Sequence, residues 1–250
     1  MKIYSVMNID IIDSRKIINR EAFQKALKVY LKELSDEYTS ILVAPITITL
    51  GDEWQVVLRE VKESYNVYMA IKEYLNAQGL GCYCGIGIGT ISTDEAMDTR
   101  EMDGQAFILA REGLNIAKRN KKAYNRVIPT KDCKVYLRGP HALKHKKSQG
   151  EVEDQGKVED QREIIDFEEM INNVIQNNEL HLKKLTKVQK QVIEAYKKLG
   201  SYSAVQDKEK ISKSNVSNRL RASNYWLMKA NKEMIYKLLK GYELHLKRGI

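Results

Sequence analysis

The segment at residues 47–58, TITLGDEWQVVL, constrains the fold more than any other stretch, because two apolar runs flank a Gly-Asp-Glu turn. Pro45 stands just before the first run. Glycine and aspartate are favoured in tight turns, and short apolar runs on both sides of such a turn are typical of a β-hairpin. The segment therefore predicts two antiparallel strands. Asp52 and Glu53 are either ordinary turn residues or part of a functional site, and the rest of the sequence is needed to distinguish these alternatives.

The elements predicted around this hairpin alternate between strands and helices. Two nearly continuous apolar runs, residues 2–12 and the glycine-rich residues 79–91, predict buried strands. Apolar residues at helical spacing predict three helices, over residues 19–34, 61–79 and 103–120. The order strand, helix, hairpin, helix, strand, helix indicates an α+β fold, a sheet covered by helices in a ferredoxin-like sandwich. Alternating glycines in the second strand predict that a helix or a neighbouring backbone approaches closely. The apolar face predicted for the first helix consists of Ala22, Phe23, Ala26, Leu27, Tyr30 and Leu31, with Asn19 as its N-cap.

Three acidic residues are expected to converge in this arrangement. Asp10 ends the first strand and Asp52 and Glu53 lie at the hairpin turn, and these strands are neighbours in a ferredoxin-like sheet. Carboxylates that close repel one another unless a divalent cation lies between them. Oxygen ligands favour Mg²⁺ or Mn²⁺, which commonly also bind phosphate. Ser14 and Arg15, in the loop after the first strand, are either phosphate contacts or ordinary turn residues.

The chain divides by composition into two halves. With 250 residues, of which 43% are hydrophobic, it can bury a sizeable core. Residues 144–163 contain few apolar residues and a short near-repeat, GEVEDQ followed by GKVEDQ, which is typical of a flexible segment. We therefore predict a first domain over residues 1–140, a flexible linker over 141–163 and a helical domain over 164–250.

Most of the positive charge lies in the second half. Residues 181–250 contain 17 Lys and Arg against 5 Asp and Glu, a balance of +12, whereas residues 1–180 have a balance of −3. A basic segment attracts polyanions, because each neutralised phosphate releases counterions. DNA is therefore an expected partner, although solvated basic helices without a partner have the same composition.

Within this half, residues 185–226 have the pattern of a helix-turn-helix, with Ser212 capping the recognition helix. Apolar residues that include Leu185 and Val188 mark the first helix. The positions predicted to face DNA phosphates and base edges are Lys213, Ser214, Asn215, Ser217, Asn218, Arg219 and Arg221. A small helical docking module is the alternative. From Trp226 onward, apolar residues at helical spacing predict a C-terminal helix that packs on the helix-turn-helix or on a second copy, and a homodimer would suit two DNA half-sites.

Four motifs carry a resemblance to known proteins. In chain order, these motifs resemble the SatD family: NIDIIDSRKIINR, ITLGDEWQ, GIGIGTI and DGQAFILAREGLN. The first half of the chain more distantly resembles the palm domain of class III nucleotidyl cyclases and GGDEF diguanylate cyclases. The cyclase resemblance implies that Asp10 and Asp52 bind two metal ions, that Glu53 matches the GGDEF glutamate, and that Arg111 matches the catalytic arginine that stabilises the transition state.

The sequence also departs from the cyclase pattern. Leu50, Trp54 and Phe107 stand where the resemblance would place glycine, phenylalanine and asparagine, and these departures favour nucleotide binding over turnover. We therefore expect a cytoplasmic DNA-binding regulator that senses a nucleotide with a divalent ion. An active two-metal nucleotidyl cyclase or nucleotidyltransferase with a DNA-binding module is the alternative. No apolar run reaches the roughly 18 residues of a membrane-spanning helix, so no membrane partner is expected.

Overall fold

A computed structural model describes residues 1–119, 132–140 and 166–248. Five strands and eight α-helices lie within these residues. In chain order they are β1 (Tyr4–Ile11), α1 (Arg20–Glu37), β2 (Thr47–Leu50), β3 (Glu53–Leu58), α2 (Ser64–Ala77), β4 (Cys82–Gly89), α3 (Gln105–Arg119), β5 (Val135–Arg138), α4 (Phe167–Lys184), α5 (Lys187–Leu199), α6 (Tyr202–Glu209), α7 (Lys213–Ala222) and α8 (Tyr225–Arg248). The chain is therefore a mixed α+β protein with a helical C-terminal region. The linker predicted over residues 141–163 lies outside the described residues.

The five strands form one sheet in the order β2-β3-β1-β4-β5. β1 is antiparallel to both β3 and β4, β2 is antiparallel to β3, and β4 is parallel to β5. Leu50 pairs with Glu53, which leaves Gly51 and Asp52 as the two residues of the turn. The hairpin predicted from the sequence is therefore confirmed, and so is the position of β3 beside β1.

Residues along β1 alternate between the two faces of the sheet. Met7 and Ile9 belong to the larger hydrophobic core, which α1, α2, α4 and α8 also line. Tyr4 and Val6 belong to a smaller core that includes residues of α3. Both faces are thus covered, as the continuous apolar run predicted.

The first helix is capped and buried largely as expected. The Asn19 side chain accepts a hydrogen bond from the backbone N–H of Ala22 at 3.1 Å, which confirms the N-cap. The apolar face is rotated slightly from the prediction, because Leu27, Leu31 and Leu34 are buried whereas Ala22 and Ala26 are exposed. Larger side chains reach the sheet, and the alanines lie at the edge of the buried stripe.

Helix α3 lies directly against the backbone of β4. A Cβ atom on Gly85 would lie 2.1 Å from the carbonyl oxygen of Ala110, and one on Gly87 would lie 2.1 Å from that of Ala106. Only a residue without a side chain leaves room for such an approach. The alternating glycines therefore fix how closely α3 packs on the sheet, which confirms the close approach predicted for this strand.

The last helix packs mainly on the first half of the chain. Ile235, Leu239 and Tyr242 of α8, with Ile171 and Ile175 of α4, lie in the same hydrophobic core as the sheet. The amide of Asn172 on α4 also forms two hydrogen bonds of 2.9 Å with the backbone of Leu137, on the edge strand β5. The expectation that α8 packs on the helix-turn-helix or on a second copy was therefore incomplete, since most of its buried face belongs to the core of the sheet.

Helices α5, α6 and α7 share a separate small core. Val192, Val205, Val216 and Leu220 are buried in it, together with Met228 at the start of α8. Val188, in the first turn of α5, was predicted to lie on the buried stripe of this helix but is 46% exposed. Among the described helices, none is both long and apolar enough to cross a membrane.

Candidate functional site

The ends of β1 and β3 place two carboxylates opposite each other. Asp10 pairs directly with Glu53 in the antiparallel register, and both lie on the face of the sheet that α3 covers. Side chains directly opposite in an antiparallel pair have Cβ atoms about 4.5–5.5 Å apart, so like charges at such positions repel. An arrangement of this kind requires compensating positive charge.

Two basic residues of α3 supply that charge. Lys118 Nζ lies 2.6 Å from Asp10 Oδ2, and Arg111 Nη2 lies 2.6 Å from Glu53 Oε1. Arg111 and Lys118 are seven residues apart, about two helical turns, so both project from one side of the helix. Their side chains keep 48% and 36% of their surface exposed, which leaves them open to a ligand from solvent. The result is a cluster of two carboxylates and two cations at the edge of α3.

Glu53 is the most buried member of this cluster. Its side chain is 7% exposed, and its Oε1 atom receives no well-directed hydrogen bond from the described residues although Arg111 is close. No group of three or more His, Cys, Asp or Glu side chains in the described part of the chain has the arrangement of a metal site. The two carboxylates that the structure places opposite each other are Asp10 and Glu53.

The hairpin aspartate makes a different contact from Asp10. The Ser14 hydroxyl donates a hydrogen bond of 2.5 Å to Asp52 Oδ2, and the N–H of Ile11 donates to the Asp52 carbonyl at 3.1 Å. Arg15 follows in the same loop and is exposed. The structure thus brings Asp10 together with Glu53, whereas the Asp52 side chain is paired with Ser14.

Three polar residues near this cluster were not singled out from the sequence. Lys118 is one of them, and its position seven residues after Arg111 was the available signal. The other two are Asn8 and Gln55, which pair across β1 and β3 next to Asp10 and Glu53. Gln55 Nε2 donates a hydrogen bond of 2.8 Å to Asn8 Oδ1. Both are buried polar residues in otherwise apolar strands, and each lies two positions from one of the acids on the same face.

The predicted DNA-contacting residues share the outer surface of α7. Five of them are exposed: Lys213, Ser214, Asn215, Asn218 and Arg221. The other two, Ser217 and Arg219, are half-buried. Val216 and Leu220 hold the opposite face in the core that α5 and α6 share. Ser212 caps the helix, because its hydroxyl accepts a hydrogen bond from the N–H of Asn215 at 3.2 Å. The cap predicted from the sequence is therefore confirmed.

Comparison with protein families gives one result. The model of the SatD family matches residues 4–137, which is more than half of the chain. The chain belongs to the SatD family. A search of curated proteins gave no match.

The part matched by the SatD model contains all five strands except the last residue of β5, together with α1, α2 and α3. Asp10, Asp52, Glu53, Arg111 and Lys118 therefore all lie within the family domain. Helices α4 to α8, including α7, lie beyond the matched range.

Proposed function

We propose that this SatD-family protein is a DNA-binding regulator whose N-terminal half binds a nucleotide together with Mg²⁺ or Mn²⁺. The observation that carries the nucleotide part is the facing pair Asp10 and Glu53, each with a cation from α3 at 2.6 Å. The strand order β2-β3-β1-β4, with α1 and α2 as the crossovers, is also the order of a ferredoxin-like sandwich. That topology supports the resemblance to cyclase palm domains.

The donor set suits Mg²⁺ bound to phosphate. Mg²⁺ is commonly held by one or two carboxylates, with water and phosphate oxygens filling its other positions. Asp10 and Glu53 would hold the ion, and Arg111 and Lys118 would turn from the carboxylates to phosphate oxygens. The ion would take over the compensation of both carboxylates, so the buried charge of Glu53 would not be left unpaired when Arg111 turns away. Arg15, exposed in the loop beside Ser14, is a further candidate for a phosphate contact.

The nucleotide proposal predicts a thermal shift that depends on the metal. A nucleotide at about a hundred times its dissociation constant stabilises by about 2.7 kcal/mol, and we expect the melting temperature to rise by roughly 5–10 °C when Mg²⁺ is present. The double substitution Asp10→Asn with Glu53→Gln should abolish this shift. Asp98→Asn is the control, because Asp98 is also paired with an arginine, Arg100 at 2.6 Å, on a different part of the surface.

If none of the common nucleoside mono-, di- and triphosphates shifts the melting temperature with Mg²⁺ or Mn²⁺, the nucleotide proposal is wrong. It is also wrong if the double variant responds as the wild type does. The same incubations separate binding from turnover, because a cyclic or linear nucleotide product that Asp10→Asn abolishes would indicate the enzyme instead.

The DNA part of the proposal depends on the geometry of α6 and α7. Residues 210–212 join these helices by a three-residue turn, which is the length found in a helix-turn-helix. Lys210 has a φ of 54°, a left-handed conformation that favours the glycine common at this position. In the described part of the chain, Lys213, Arg219 and Arg221 form no ion pair with an acidic side chain. The exposed face of α7 therefore keeps its positive charge available for a polyanion.

We expect replacement of Lys213, Asn218 and Arg221 by alanine to weaken DNA binding by at least about tenfold, since single contacts to base edges or phosphates contribute about 1–3 kcal/mol. Fluorescence anisotropy with labelled DNA fragments, at several salt concentrations, measures this loss and the accompanying decrease in salt dependence. Lys28→Ala with Lys32→Ala, on exposed positions of α1, is the control that also removes two positive charges. Equal losses in both variants would indicate that only net charge matters, and no loss in the α7 variant would contradict a recognition helix.

A further inference from the structure

A cleft of about 820 Å³ lies where α5 meets the sheet half of the molecule. Helices α2 and α4 form one wall, and α5 with the first half of α8 forms the other. Met69, Leu182, Ile193 and Met228 give it an apolar lining. The volume is in the range of small-molecule sites, which are mostly apolar with a few polar groups that orient the ligand.

The charged residues of the cleft favour a single negative charge. Four lysines and three glutamates line it: Lys197, Lys229, Lys232, Lys237, Glu63, Glu73 and Glu233. Lys197 Nζ is paired with Glu73 at 3.0 Å, whereas Lys229, Lys232 and Lys237 form no ion pair within the described residues. Burial lowers the pKa of Lys232, and the nearby positive charge of Lys197 lowers that pKa further, against the opposing effect of Glu73 and Glu63. An anion beside Lys232 would relieve this excess of positive charge, but three glutamates disfavour a polyanion.

A buried amide in the wall of the cleft is held by Tyr65. Asn178 is 3% exposed and lines the cleft, and its Oδ1 atom meets no hydrogen-bond donor among the described residues. The amide orientation is fixed, because Nδ2 donates to the Tyr65 hydroxyl at 2.8 Å and that hydroxyl donates to Glu179 at 3.2 Å. The Oδ1 atom is itself enclosed, so the amide serves to position the Tyr65 hydroxyl and not to bind a ligand in the cleft.

We propose that this cleft binds a small aromatic monoanion. Tyr38, Tyr225 and Tyr236 line the cleft and offer aromatic surfaces for its ring. Lys229 and Lys232 bind its acidic group. The inference does not depend on nucleotide or DNA binding. Such a ligand would contact α2 and α5 at once, and would therefore hold the helices that carry α7 against the sheet half.

The probe for this site is 8-anilinonaphthalene-1-sulfonate, which has two aromatic groups, one sulfonate and one N–H. We expect saturable binding to the full-length protein, measured by fluorescence and by isothermal titration. Lys229→Gln with Lys232→Gln should weaken that binding at least about fivefold, which corresponds to two partly exposed charge contacts. The neutral analogue N-phenyl-1-naphthylamine lacks the sulfonate, and its affinity should be the same for the variant and the wild type.

Lys28→Gln with Lys32→Gln is the control, because these lysines line a different apolar groove, between α1 and β2. Unchanged sulfonate binding in the Lys229 and Lys232 variant would overturn the proposal, as would an equal loss in the control. An equal loss of the neutral analogue would also overturn it, because the lysines would then be needed only for the shape of the cleft. Circular dichroism and a cooperative melting curve establish that both variants are folded.

Discussion

Replacing Gly87 by alanine is expected to lower the free energy of unfolding by about 3 kcal/mol or more, because overpacking a close backbone contact forces the helix to move. The new Cβ would lie 2.1 Å from the Ala106 carbonyl oxygen and 2.2 Å from the Ala110 nitrogen, both in the backbone of α3. Neither atom belongs to a flexible side chain, so the whole helix has to shift. The shift would also move Arg111 and Lys118 away from the two carboxylates.

Urea unfolding followed by tryptophan fluorescence measures this effect. Trp54 is fully buried in the core of the sheet and Trp226 is 46% exposed on α8, so a Trp226→Phe background makes the signal report the sheet half. Gly241→Ala is the control, because a Cβ there would meet only Phe167, at 3.6 Å. Alanine in the helix α8 should stabilise the protein by about 0.4–1 kcal/mol. A similar small change for Gly87→Ala would contradict the close packing of α3 on β4.

Replacing Glu179 by alanine is expected to lower the free energy of unfolding by about 3–5 kcal/mol, because removing one partner of a buried ion pair leaves the other uncompensated. The Glu179 side chain is 3% exposed and is paired with Lys72. The Tyr65 hydroxyl also donates to it at 3.2 Å and the Tyr68 hydroxyl at 3.5 Å. These contacts hold α4 against α2, so their loss should loosen the docking of α4.

The matched control for this prediction is Glu169→Ala, on an exposed position of the same helix. Glu169 lies in the first turn of α4, where a carboxylate interacts with the helix dipole, and its loss should cost about 0.3–1 kcal/mol. The double substitution Lys72→Met with Glu179→Leu should recover most of the stability, since well-packed apolar residues often replace a buried ion pair without loss. If Glu179→Ala costs no more than Glu169→Ala, the ion pair does not hold α4 in place.

Much of the local structure could be predicted from the sequence. The hairpin at Gly51 and Asp52, the N-caps at Asn19 and Ser212, and the close approach at the alternating glycines of β4 were all predicted correctly. Each of these features depends on a short window of residues. Turn residues, capping side chains and glycine act on the backbone next to them, so their effect can be derived without knowing the rest of the fold.

The placement of the charged groups could be predicted only in part. Alternation along β1 and β3 and the expectation that these strands are neighbours brought Asp10 and Glu53 close together. The sequence did not predict that Lys118, which is 108 residues from Asp10, forms an ion pair with it. That contact depends on how α3 is rotated about its axis, and the rotation is decided by Gly85 and Gly87 on a different strand.

By itself, the sequence determined the α+β class, the order of the elements as far as α3, the placement of Asp10 and Glu53 on neighbouring strands and the basic surface of α7. Only the tertiary structure decided which cations compensate those acids, that Asp52 is paired with Ser14, and that α8 packs on the sheet. The physical reason is that hydrophobic periodicity specifies which face of an element is buried but not its partner. The partner depends on the packing of side chains from distant parts of the chain, which no short window of sequence contains.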